Sequence, residues 1–124
     1  MKLFEVFDSY KALPRVSVYY CIGRCPDGST VMVFKHEELT AEGDSLVHRS
    51  KVSEWNGLST HATSRCWVDE LNAGVKVARL GIRHGAGKFS ARPNMVGRVT
   101  RWDGECFEVV FRPEVGHGAT YAQA

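Results

Sequence analysis

Residues 95–112 read MVGRVTRWDGECFEVVFR. Apolar, β-branched and aromatic residues stand on both sides of Asp103-Gly104. That pattern predicts a hairpin, because a two-residue type I′ turn needs positive φ at both central positions. Working outward, residues 15–22 (RVSVYYCI) alternate Val16, Val18 and Tyr20 against Ser17, Tyr19 and Cys21, and residues 30–35 (TVMVFK) are again β-branched and aromatic. Both predict strands. The intervening GRCPDGS (23–29) holds Pro-Asp-Gly. Its proline presets one turn dihedral and its glycine supplies positive φ, so a second hairpin is expected.

VKVARLGIR (75–83) fits a continued helix through Val75, Ala78 and Ile82, or a strand through Val75 and Val77, and is read as a strand. The polar run 35–57, punctuated by Gly43 and Gly57, predicts loop with one short helical turn. Ser59 or Thr60 can cap a helix through HATSRCWVDELNA (61–73), which Gly74 would stop. The N-terminal KLFEVF fits either a strand or the start of a helix through Leu13, with Leu3, Phe7 and Tyr10 on one face. The expected fold is therefore α+β: one domain over 1–112, a mostly antiparallel sheet of five or six strands with two hairpins, and one main helix packed against it. Residues 113–124 are read as an irregular tail. There is no internal repeat and no low-complexity tract.

A chain of 124 residues with 44% apolar and 24% charged residues has the size and composition of one soluble globular domain. No apolar run approaches the roughly 20 residues a bilayer demands, and the N-terminus lacks the apolar core of a signal peptide. A cytoplasmic protein with no membrane association is expected, its cysteines 21, 25, 66 and 106 carried as reduced thiols. No cofactor is implied. Net charge is only +2, but it is unevenly spread. From Leu71 to Trp102 there are seven basic residues and no acidic one, so the rest of the chain carries −5.

That basic segment contains GIRHGAGKF (81–89), for which three chemistries compete with a simple connection. Arg83-His84-Gly85 at a strand end resembles the signature of the histidine phosphatases, in which the histidine takes the phosphoryl group and the arginine clamps it. The resemblance covers three residues, and the family's motif opens a much longer α/β chain. A phosphate loop would use glycine amides and Lys88 on an anion. Here the glycine before Gly87-Lys88 sits one residue too far away, at Gly81, and Phe89 stands where the magnesium-binding Ser or Thr belongs. The third chemistry is polyanion binding: closely spaced phosphates release counterions when cations neutralise them. Lys76, Arg79, Arg83, Lys88, Arg92, Arg98 and Arg101 would supply charge, while His84, Phe89 and Trp102 could stack on bases. VGRVTRWDGECFEVVF also resembles a hairpin from an SH3-like barrel of the nucleic-acid-associated kind.

Two further sites are candidates. Cys66, followed by Trp67 at an expected helix start, has His117 51 residues downstream. The pair resembles the dyad of papain-like viral leader proteases, which implies a thiolate nucleophile and a histidine base. Cys21 and Cys25 are spaced C-x3-C before His36, whereas zinc knuckles prefer two intervening residues, and no second cysteine pair follows. The resulting expectation is a small non-enzymatic protein that binds nucleic acid, or an acidic protein surface, through residues 76–101. The alternatives are a phage, plasmid or viral accessory protein that regulates or inhibits a host protein, and a minimal cysteine protease. The oligomeric state is not legible in the sequence.

Overall fold

The computed structural model describes residues 2–14, 22–51, 68–74 and 76–114. Among the described residues eight strands form one sheet in the order β1-β2-β3-β6-β7-β8-β5-β4. They are β1 (Leu13–Pro14), β2 (Ile22–Arg24), β3 (Thr30–Lys35), β4 (Thr40–Glu42), β5 (Ser45–Lys51), β6 (Ala78–Gly85), β7 (Lys88–Trp102) and β8 (Cys106–Pro113). A helix, α1 (Leu3–Ser9), precedes them, and a 3-10 turn at His36–Glu38 follows β3.

The expected antiparallel sheet of five or six strands with one main helix is corrected on three counts. The sheet is mixed, because β3 and β6 run parallel with Thr30 beside Ala78 and Lys35 beside Arg83. It has more strands, because the polar run 40–51 forms a hairpin, β4–β5, and β5 pairs with β8 from Leu46↔Phe111 to Lys51↔Cys106. The helix of seven residues is N-terminal. Of the helix expected over 61–73, only 68–73 is described, with 68–72 helical and Gly74 closing the turn through its amide to the Leu71 carbonyl (3.0 Å). The physical reason for the first two corrections is shared. Hairpin signals are local, whereas a parallel pair joins strands through a long crossover that leaves no local mark. Pairing of a polar strand with an apolar one is likewise a tertiary effect. The strand expected over 15–21 and the tail from 115 onward lie outside the described residues.

Both expected hairpins form. Ile22, Gly23 and Arg24 pair with Met32, Val31 and Thr30 around Pro26-Asp27-Gly28. At the other hairpin the turn differs from the expected type I′. Asp103 donates its amide to the Cys106 carbonyl (3.3 Å), so Gly104 and Glu105 are the central pair, and only Gly104 has positive φ (93°). A glycine at the first central position suits a type II′ geometry, the other turn that matches strand twist. The Asp103 carboxylate accepts the Cys106 amide (2.7 Å) and then the Glu105 amide (3.0 Å), which lowers its pKa.

Alternation along the strands splits the apolar residues between two faces. On one face Ile22, Met32, Leu80, Ile82, Phe107, Val109 and Phe111 join Val68 and Leu71 of the helical segment in the larger core. A buried side chain of this kind contributes about 1.5–3 kcal/mol. On the other face α1 covers the sheet: Val6 and Phe7 pack on Val31 and Val33. Gly81 permits the approach, since a Cβ there would lie 2.7 Å from a Val6 methyl. Glu5 reaches back to accept the Lys2 amide (2.6 Å), closing the helix start.

β7 is shared end to end. Residues 88–92 pair with β6, residues 95–102 with β8, and Val96 and Gly97 with both. Between the pairs Leu80↔Arg92 and Arg79↔Val96 the register shifts, leaving 93–95 as an extra stretch, where Pro93 has no amide to lose. Tyr10 closes this bulge. Its hydroxyl donates to the Leu80 carbonyl (2.7 Å) and accepts the Arg92 amide (3.0 Å).

Candidate anion-binding site

The glycine-rich run at 85–88 is a tight connection: Gly85 pairs with Lys88 across Ala86-Gly87. Arg83 and His84 are therefore strand residues, and Lys88 opens the return strand. Two registers meet here. The parallel one sets Lys35 beside Arg83, and the antiparallel one sets Phe89 opposite Arg83. Lys35 continues the Val31, Val33 row and Arg83 follows Gly81, so both belong to the face that α1 covers nearer the other end of the strands. Lys35 and Lys88 are exposed, and Arg83 and Phe89 half-buried. Phe89 packs against the cluster under α1, which anchors this end of the sheet.

Lys35, Arg83 and Lys88 have no ion pair among the described residues. Glu37 and Glu38 follow Lys35 in the 3-10 turn, and Glu38 is turned to the Lys35 backbone amide (3.0 Å). Three cations thus stand at one end of the sheet, Lys35 and Arg83 abreast on one face and Lys88, two residues before Ser90, toward the other.

The remaining expected basic residues are placed elsewhere. Arg79 is only 12% exposed and lies 3.8 Å from Asp27, over the first hairpin turn, where the Lys76 side chain also covers Gly28. Asp27 is held below the usual carboxylate range by the Ser29 hydroxyl and then the Ser29 amide. Arg98 faces Glu114 (3.4 Å) and Arg101 faces Asp103 (3.5 Å). Beside them Glu108 accepts the Thr100 hydroxyl (2.6 Å) and pairs with Arg49, which also meets Glu42 (3.0 Å). Lys88 and Arg101 are separated by roughly 40 Å of bent strand at about 3.3 Å per residue. Arg92 stands exposed at the bulge. Trp102 donates its indole N–H to Asp69 (2.6 Å) and meets Phe107 edge-on, so its ring is fastened to the larger core.

His84 is exposed, with Nε2 2.7 Å from the Ser90 hydroxyl and its ring 5.8 Å from that of His36. Ser90 pairs with Ile82, which places this histidine pair on the sheet face opposite Lys35 and Arg83. Cys66 and His117, the dyad candidates, and Cys21 lie outside the described residues. Cys25 is buried, and burial pushes its thiol pKa up, the opposite of nucleophile activation. Among the described residues no group of three or more His, Cys, Asp or Glu is placed to hold a metal ion, and no helix is long and apolar enough to cross a membrane.

Sequence reasoning missed Lys35, and it named His36 only beside Cys21 and Cys25, not beside His84. The neighbours of Lys35 and His36 are acidic in sequence, and only the parallel pairing of β3 with β6 brings them to Arg83 and His84. No family model matches the chain, and neither does any curated protein or solved structure.

Proposed function

We propose that the protein is a non-enzymatic binder of nucleic acid whose contact surface is the sheet end carrying Lys35, Arg83 and Lys88. The observation that supports this reading is the parallel register that sets Lys35 abreast of Arg83, beside a hairpin that adds Lys88, with no carboxylate paired to any of them among the described residues. Cations with paired carboxylates, such as Arg98 and Arg101, would have to break those contacts before meeting a phosphate. Arg83, Lys35 and Lys88 would not. Lysine and arginine contacts to phosphate fix position without reading sequence, so the binding is expected to be tolerant of base sequence.

The test is fluorescence anisotropy with labelled mixed-sequence duplex and single-stranded DNA over a range of salt. Log affinity for the duplex should fall linearly with log salt by about 0.9 per phosphate contacted. Three contacts give a slope of about −2.7. The triple variant Lys35→Ala, Arg83→Ala, Lys88→Ala should lose most of the affinity and most of the slope. Binding that is absent, flat with salt, or indifferent to that variant would overturn the reading.

A further inference from the structure

We propose that His36 and His84 form a two-imidazole site for a divalent transition-metal ion of the zinc, nickel or copper type, at the end of β3 and β6. Both rings are exposed, with centroids 5.8 Å apart and planes inclined by 36°. With zinc–nitrogen bonds of about 2.0–2.1 Å and tetrahedral angles, two imidazoles on one ion place their ring centres roughly 5 Å apart. The observed spacing lies within about 1 Å of that value, and a small movement of the exposed His36 side chain, whose χ2 torsion is broad, brings the pair to chelating distance while His84 keeps its contact with Ser90.

A metal-bound histidine usually has its other ring nitrogen held by a hydrogen-bonding partner, which sets the tautomer and the ring plane. His84 already has such a partner: Nε2 is 2.7 Å from Ser90 Oγ. When Nε2 carries the proton and donates it to Ser90, the Nδ1 lone pair is left for the ion. His36 comes from the 3-10 turn that packs on β6, so one ion would tie the end of β3 to the end of β6.

The charged groups around the pair set its chemistry. Glu37 and Glu38 share the turn with His36, Lys88 and Ser90 come from β7, and Lys35 and Arg83 lie on the opposite face of the sheet. Among the described residues no third His, Cys, Asp or Glu completes a closed set, so water would fill the remaining positions. Neutral imidazoles select zinc, nickel and copper over magnesium and calcium, with copper(II) tightest.

The experiment titrates the full chain with nickel(II) and then zinc(II) salts at pH 7.5, following heat and the histidine ring signals by NMR. The expected result is one ion per chain that shifts the His36 and His84 rings together, with affinity falling at least tenfold in His36→Gln and in His84→Gln alike. Ser90→Ala should weaken binding by a smaller factor while leaving the stoichiometry at one. Metal should also raise the melting temperature of the wild type and not that of either glutamine variant, since an ion held only by the folded state stabilises it. Isotherms of the variants that superpose on the wild type, or a single variant whose remaining histidine binds with undiminished affinity, would overturn the proposal.

Discussion

Replacing Tyr10 with Phe keeps the ring and removes one oxygen that serves two backbone groups on different strands, the Leu80 carbonyl and the Arg92 amide. Each such hydrogen bond contributes about 0.5–1.5 kcal/mol net, and a polar partner left unpaired in a partly buried place costs about 1–3 kcal/mol. With two partners and partial access to water, the expected loss is about 2–3 kcal/mol. For a chain between the 100- and 200-residue classes that is a fall in melting temperature of roughly 6–15 °C. Urea unfolding at pH 7 measures it as a lower midpoint at unchanged slope.

A second arm of the same experiment uses pH. Burial pushes the Tyr10 pKa up to about 12, from about 10 in the unfolded chain. The folded state thus holds a proton that the unfolded state releases. This contribution is complete below pH 10 and is lost as pH rises through 12. The wild type should therefore lose stability between pH 10 and 12 more steeply than Tyr10→Phe does. A loss below about 0.5 kcal/mol at neutral pH, the size of an ordinary surface change, or identical profiles of the two proteins above pH 10, would refute the role given to this hydroxyl.

Gly97→Ala should destabilise by more than about 2 kcal/mol in the same urea assay, because its Cβ would lie 2.5 Å from the buried Phe111 ring and 3.0 Å from the Ala78 methyl. Asp27→Asn should be less stable than the wild type at pH 7 and equal to it in acid. The Ser29 contacts lower the Asp27 pKa, so their contribution is present above the unfolded value of about 3.9 and is lost as pH falls through the folded one. Arg98→Ala with Arg101→Ala should leave nucleic-acid affinity within about twofold of the wild type, measured by anisotropy, because Glu114 and Asp103 already face those cations.

What the sequence disclosed was its local chemistry. Pro26-Asp27-Gly28 and Asp103-Gly104 marked their hairpins because turn residues act within four positions. The exchange of turn positions at Asp103 goes with its carboxylate, which accepts the Glu105 and Cys106 amides and so stays at the turn's first residue. Residues 40–51 read as loop because Thr40–Glu42 is exposed throughout and β5 buries few apolar side chains. β5 is a strand because β8 lies beside it. The candidate site was half legible. Arg83 and Lys88 stood out in an acid-free segment, whereas Lys35 sat among acidic neighbours and reached them through a parallel pairing that no run of residues encodes. The same segment's even distribution of charge concealed that Arg79, Arg98 and Arg101 face carboxylates contributed by other parts of the chain or by the adjacent turn.

The most direct measurement of the central claim is the map of backbone amide shifts by NMR when a short mixed-sequence DNA oligonucleotide is added at low salt. Shifts are expected to concentrate at Lys35, Arg83, Lys88 and their immediate neighbours and to fade as salt is raised, with Arg98 and Arg101 unmoved. Shifts centred on Arg98 and Arg101, or no shifts at any salt, would contradict that claim.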